Sequence, residues 1–152
     1  MGDRLTAQPV VGAVLAGGRG RRFGLVEKAF LTLAGRPLIE HVIERLAPQV
    51  GDLLINTNSN DVRFRAYGVH LCADRPGSRP ATGPLAGLSA LFHLLQDLDQ
   101  TSAPLLSVPV DTPLLPGDLV ERLECALAAG AAAAAYAASA ARDHPIVALW
   151  MP

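Results

Sequence analysis

Apolar residues in this chain fall into short, charge-free runs that alternate with stretches spaced three and four apart. Residues 10–15, VVGAVL, are β-branched and uncharged, which predicts a strand buried on both faces of a parallel sheet. Residues 52–57 and 69–73 predict a second and a third strand, each short, apolar and followed by polar or turn residues, and residues 104–110 a further one. Residues 37–46 carry Leu38, Ile39, Val42, Ile43 and Leu46 at helical spacing and leave Glu40, Glu44 and Arg45 for solvent. Helices are also predicted over 85–98 and over 114–129, the latter beginning with Pro116-Gly117-Asp118. Strands alternating with helices argue for a three-layer α/β/α, Rossmann-like fold with a mainly parallel sheet. The alanine-rich tract 126–141 reads as helix by propensity, interrupted only by Gly130.

Composition narrows this picture. The 152 residues hold 13 Lys and Arg against 14 Asp and Glu, a net charge of −1, so the chain is not a generally basic binder of nucleic acid. The length suits one domain, expected over 9–152 behind a short tail, 1–8. No run approaches eighteen apolar residues, so no membrane span is predicted. The apolar run from Val10 is broken by Gly12 and too short for a signal peptide. Met1 to Thr6, MGDRLT, fits only a loose myristoylation pattern, with Asp3 and Arg4 directly after the glycine. A cytoplasmic location is expected. Cys72 and Cys125 make neither a disulfide framework nor a metal pattern, and both are expected to be reduced and packed.

Chemistry concentrates in residues 15–28, LAGGRGRRFGLVEK, where the first strand empties into a glycine-rich loop. In open α/β sheets, ligands bind at the carboxyl ends of strands. Gly17, Gly18 and Gly20 carry no Cβ, so successive backbone N–H groups can converge on anionic oxygens. Arg19, Arg21, Arg22 and Lys28, opposed only by Glu27, suit a triphosphate better than a single carboxylate. A Walker A loop is excluded, because Ala29 follows Lys28 and no glycine precedes it. Gly18, Gly20 and Gly24 form a variant of the dinucleotide fingerprint, but the acidic ribose partner is poorly placed, with Glu40 and Glu44 in an expected helix. A surface turn with solvated arginines is the plainest alternative.

This loop resembles the signature of sugar and cofactor nucleotidyltransferases, L-A-G-G-x-x-x-R-M-G-x-D-K in its molybdenum-cofactor branch. Arg22 falls on the signature arginine and Lys28 on the lysine. Phe23 stands for the methionine, Glu27 for the aspartate, and two residues separate Gly24 from the acid. Five further segments are similar to the molybdenum cofactor guanylyltransferases, the MobA family, in the same order: residues 53–58 (LLINTN), Ala73-Asp74, Gly83-Pro84-Leu85-Ala86-Gly87, Pro109-Val110-Asp111-Thr112-Pro113, and Arg142-Asp143-His144-Pro145. The resemblance implies a strand over 131–137, leading into a turn at Arg142 to Pro145 and a last strand over 146–149. We side with that strand over the helix, because burial overrides propensity.

The resemblance further implies transfer of GMP from Mg-GTP to the terminal phosphate of molybdenum cofactor, with release of pyrophosphate, an activity of class EC 2.7.7. It makes Lys28, Asp111 and Arg22 the catalytic candidates. Leu15, Ala16, Gly17, Gly18, Lys28, Asn56, Asp74 and Asp111 would line the nucleotide. Asp111 would hold Mg2+, a role that hard carboxylate oxygen suits, and it is expected to face Gly17 and Gly18 across the sheet edge; capping a turn is its alternative role. Asp74 would read the guanine donor edge, its alternative being a solvated residue at a strand end. For His144 a turn role is expected, and residues 83–87 either make room for a ligand or simply start a helix. GTP and molybdopterin or molybdenum cofactor are the implied partners, with transient contact to other proteins of that biosynthesis. The family continues beyond the position of Pro152 with further helices, so the chain reads as short of the family's C-terminal segment. A CTP-dependent relative, a non-catalytic nucleotide-binding module and a dinucleotide-binding oxidoreductase remain open.

Overall fold

The computed structural model describes residues 9–17, 19–20, 26–77 and 83–152. Strand β1 (Val11–Leu15) is followed by two small antiparallel ribbons, β2 (Arg19–Gly20) with β3 (Val26–Glu27) and β4 (Thr32–Leu33) with β5 (Arg36–Pro37). Helix α1 (Leu38–Leu46) then leads to β6 (Asp52–Asn56) and β7 (His70–Cys72). Helix α2 (Pro84–Asp97), β8 (Leu105–Pro109), α3 (Leu119–Gly130), β9 (Ala134–Ser139) and β10 (Arg142–Trp150) complete the chain.

Six strands form one sheet in the order β7-β6-β1-β8-β10-β9. Strand β1 is central and parallel to both neighbours, with Leu15 level with Asn56 on one side and with Pro109 on the other. β6 and β7 are parallel, while β10 runs antiparallel to β8 and to β9. From β1 the chain builds outward to β6 and β7, then returns across β1 to place β8 on its other flank. The order therefore reverses between β1 and β8, where an open α/β sheet leaves a crevice at its carboxyl edge.

Strict alternation along β1 divides the core into two layers. Val11, Ala13 and Leu15 pack with Leu88, Leu91 and Leu95 of α2 on one face. Val14 and Ala16 join Ile39, Val42 and Leu46 of α1 and Leu119, Leu123 and Leu127 of α3 on the other. The expected three-layer α/β/α fold with a mainly parallel sheet is the fold observed.

Local expectations fared unevenly. The first strand, the helices near 37–46 and 85–98, and the strand within the alanine tract are present. Helix α3 starts at Leu119, five residues later than expected, because residues 114–118 are taken up by turns. The glycine loop does not feed α1 directly, since two ribbons and a 3-10 turn, Lys28–Phe30, intervene. Arg142 to Pro145 is not a turn but the start of β10. The reversal is made by Ala140 and Ala141, whose φ values of 47° and 60° give the doubly left-handed turn that joins twisted strands. Pro145 sits where the β9–β10 register shifts between His144 and Ala148, an irregularity that tolerates a missing N–H donor. Cys72 is buried and free as expected, whereas Cys125 is free but exposed on α3.

Candidate functional site at the carboxyl edge of the sheet

The site is built on the tips of β1, β6 and β8. Beyond β1, Ala16 N–H donates to Asn56 O at 2.8 Å, and Val110 N–H donates to Leu15 O at 3.1 Å. Leu15 and Ala16 bury their side chains in opposite layers. What they bring to the site is placement, delivering the exposed Gly17 to the crevice. Gly18 and Arg22 lie outside the described residues.

After β8, Thr112 turns back on the strand, its N–H and Oγ1 both donating to Pro109 O at 3.2 and 2.6 Å. That turn projects Asp111 from the carboxyl edge. Lys28 is carried on the 3-10 turn, which is held by burying its next two residues, Ala29 and Phe30. Phe30 packs against Phe64 with ring centroids 4.7 Å apart. The Arg63 guanidinium lies 3.8 Å above the Phe30 ring centre. Asp61 caps the 3-10 helix Val62–Tyr67 through Arg63 N–H at 3.0 Å and also grips the Arg63 side chain. These hydrogen bonds hold the Asp61 carboxyl below its usual range.

Lys28 Nζ and Asp111 Oδ2 meet at 3.2 Å, joining residues 83 positions apart. Lys28 is 35% and Asp111 49% exposed, so this ion pair faces solvent and contributes little to the fold, at most about 1 kcal/mol. Both groups can therefore exchange each other for an incoming ligand at small cost. An ammonium and a carboxylate at one sheet edge, reached by β1 through the exposed Gly17, can hold a phosphate chain together with a counter-cation.

On the β6–β7 flank, Asn56 is 3% exposed, and its Nδ2 donates to Cys72 O at 3.1 Å and to Asp74 Oδ1 at 3.0 Å. Both amide hydrogens are thus spent inside the protein. Asp74, expected as a solvated residue or a base reader, is part-buried and is also gripped by Asn58, whose Nδ2 donates to Asp74 Oδ2 at 2.8 Å. Burial, and then the Asp74 carboxylate, push the neighbouring Cys72 thiol up against an opposing pull from Arg75, so it stays protonated and apart from nucleophilic chemistry.

Sequence reasoning missed Asn58 and Gly87. Asn58 was visible only as the last letter of LLINTN. Residues 83–87 do start a helix, as one of the two readings had it, and Gly87 adds a further role: it lets α2 pack against the Asn56 carboxamide, which lies 2.2 Å from where a Cβ would stand. Gly83, at φ +88°, supplies the sharp entry into the same helix. His144 lies in β10 opposite Ala137 and meets Ser139 Oγ through Nε2 at 2.7 Å, a contact within the ribbon. Among the described residues, no three His, Cys, Asp or Glu side chains gather into a metal cage, and no helix is long and apolar enough to cross a membrane.

Comparison with known proteins gives a consistent result. A family model described as the MobA-like NTP transferase domain matches residues 12–151. A molybdenum cofactor guanylyltransferase from Cereibacter sphaeroides is 44% identical over 139 residues, covering 91% of this chain and 67% of the relative. The enzyme of the same name from Shewanella halifaxensis is 41% identical over 148 residues, covering 97% of this chain and 70% of its own length. The chain thus spans about two thirds of these relatives. Among solved structures, molybdopterin-guanine dinucleotide biosynthesis protein A from Archaeoglobus fulgidus superimposes with a TM-score of 0.68 at 23% identity, over 93% of this chain and 67% of that one. A CMP:2-keto-3-deoxy-manno-octonic acid synthetase complexed with CTP gives 0.61 at 22% identity, over 84% of this chain and 50% of the other. At such identities the two structures speak for the fold alone.

Proposed function

This chain belongs to the MobA-like NTP transferase family, and we propose that it is a molybdenum cofactor guanylyltransferase, transferring GMP from GTP to the terminal phosphate of molybdenum cofactor with loss of pyrophosphate. The observation that carries this reading is the meeting of Lys28 and Asp111 at 3.2 Å, at the point where the strand order reverses.

In-line attack by the acceptor phosphate on the α-phosphorus needs no enzyme nucleophile. It needs reactants held in line and charge balanced on the phosphates. Gly17 and Gly18 bring backbone N–H groups against the phosphate chain. Lys28 exchanges Asp111 for phosphate oxygens and offsets charge on the departing pyrophosphate, while Arg22 holds the triphosphate from the loop. Asn56 braces the base side of the site and Asp74 presents its carboxylate to the guanine donor edge.

Asp111 fits Mg2+, an ion that takes one or two protein carboxylates and completes its shell with water and substrate phosphates. It offers hard oxygen, is half exposed, and stands beside Lys28. Bound there, Mg2+ would supply Lewis-acid neutralisation of the phosphate oxygens.

The test is pyrophosphate release with Mg2+, molybdenum cofactor and each nucleoside triphosphate in turn. Release that is selective for GTP is expected. Release selective for CTP would assign the chain to cytidylyl transfer, and GTP binding without any release would make it a nucleotide-binding module.

A further inference from the structure

The Asp74 carboxylate is held by two asparagines in different ways. Asn56 grips Oδ1 from below, at 3.0 Å, with an amide group that is itself buried and tied to Cys72 O. Asn58 grips from the exposed side in a closed ring: its Nδ2 donates to Asp74 Oδ2 at 2.8 Å while its Oδ1 accepts the Asp74 backbone N–H at 2.8 Å. Only one orientation of the Asn58 amide satisfies both bonds, so its donor end is fixed toward the carboxylate. An aspartate χ2 is otherwise a broad, soft torsion.

Counting acceptor sites shows what this arrangement leaves free. An ionised carboxylate offers about four lone-pair positions, two on each oxygen. Asn56 occupies one on Oδ1 and Asn58 one on Oδ2. These bonds leave about one acceptor position on each oxygen, and the two oxygens of a single carboxylate stand side by side. That is the complement of two adjacent N–H donors, which guanine presents at N1 and its 2-amino group, whereas cytosine has a single exocyclic amine and no N–H beside it.

We infer that Asn58 is a positioning residue for base selection, turning the Asp74 carboxylate into a rigid two-pronged acceptor for a purine with adjacent ring and amino donors. This rests on the reading of Asp74 as the group that meets the base. Asn58 acts through Asp74 and needs no contact with nucleotide.

Inosine triphosphate keeps the ring N–H of guanine and lacks the amine, so the ratio of GTP to ITP affinity measures two-pronged engagement directly. Titration calorimetry of both nucleotides with Mg2+ reads it on the whole chain without any acceptor. The unaltered chain should favour GTP by about tenfold or more, the worth of one hydrogen bond to a charged group. Asn58→Asp keeps an acceptor for the Asp74 N–H but replaces the donor with a second carboxylate. It should bring the ratio to about threefold or less with ITP affinity little changed, and Asn58→Ala should do the same. A purely structural role for Asn58 would instead lower both affinities together. Asp74→Ala separates the two levels of the inference. If Asp74→Ala abolishes the preference while Asn58→Asp retains it in full, Asn58 is not a positioning residue. If Asp74→Ala retains the preference, or the unaltered chain has none or fails to bind GTP, the reading of Asp74 itself is overturned.

Discussion

The Asn56 carboxamide occupies the space that a side chain at position 87 would need: a Cβ on Gly87 would stand 2.2 Å from Asn56 Oδ1 and 2.9 Å from its Cγ. Two motif residues 31 positions apart thus fix how closely the first turn of α2 approaches β6. Since Asn56 also ties Cys72 and Asp74 together, the packing of α2 and the orientation of the site carboxylate are linked through one amide.

Gly87→Ala should therefore destabilise the fold although alanine favours helix. The propensity gain is about 1 kcal/mol, while forcing a methyl into an occupied space costs about 1–3 kcal/mol, and here the obstacle is a buried, doubly bonded amide with little room to give. Urea unfolding should show a net loss. Combining the change with Asn56→Ala should cost less than the sum of the two single changes, as expected when they share one clash.

Lys28→Met should separate activity from stability. The ion pair with Asp111 is exposed, so the urea midpoint should move by no more than about 1 kcal/mol equivalent. Pyrophosphate release should fall by about a hundredfold to a thousandfold, the usual effect of removing one preorganised electrostatic partner. A large loss of stability with activity intact would assign Lys28 to the fold instead.

How much of this was legible in the sequence depends on what fixes each feature. β1 could be read from residues 10–15 because burial on both faces demands an uncharged run. Asp111 could be placed just past a strand tip because residues 104–110 read as a short apolar strand. The alanine tract shows the opposite case: residues of high helix propensity form β9 because pairing with β10 decides, and its turn at Ala140-Ala141 carries none of the glycine or asparagine that announces such turns. The start of α3 was misplaced since Leu114 and Leu115 continue an apolar pattern through residues that in fact turn. Arg63 over Phe30, and Asn58 against Asp74, depend on loops meeting in space, which local spacing does not encode.

Acid titration tests the brace beneath Lys28. The Asp61 carboxyl is lowered by its bonds to Arg63, so its contribution is complete above the ordinary aspartate value near ~3.9 and is lost as pH falls through the lower folded value. Asp61→Asn should melt below the unaltered chain at neutral pH, and the gap should close at more acid pH. A gap that is constant across the acid range would mean that the carboxylate charge does not matter there.

The central claim is that Asp111 receives the cation of Mg-GTP at the edge shared by β1 and β8. Calorimetric GTP affinity with Mg2+ and with EDTA, measured for the unaltered chain and for Asp111→Asn, tests it most directly. The account predicts that Mg2+ tightens binding by about tenfold or more in the unaltered chain, a coupling of at least ~1.4 kcal/mol, and that this gain largely disappears in Asp111→Asn while binding in EDTA persists. An equal gain from Mg2+ in both proteins would contradict it.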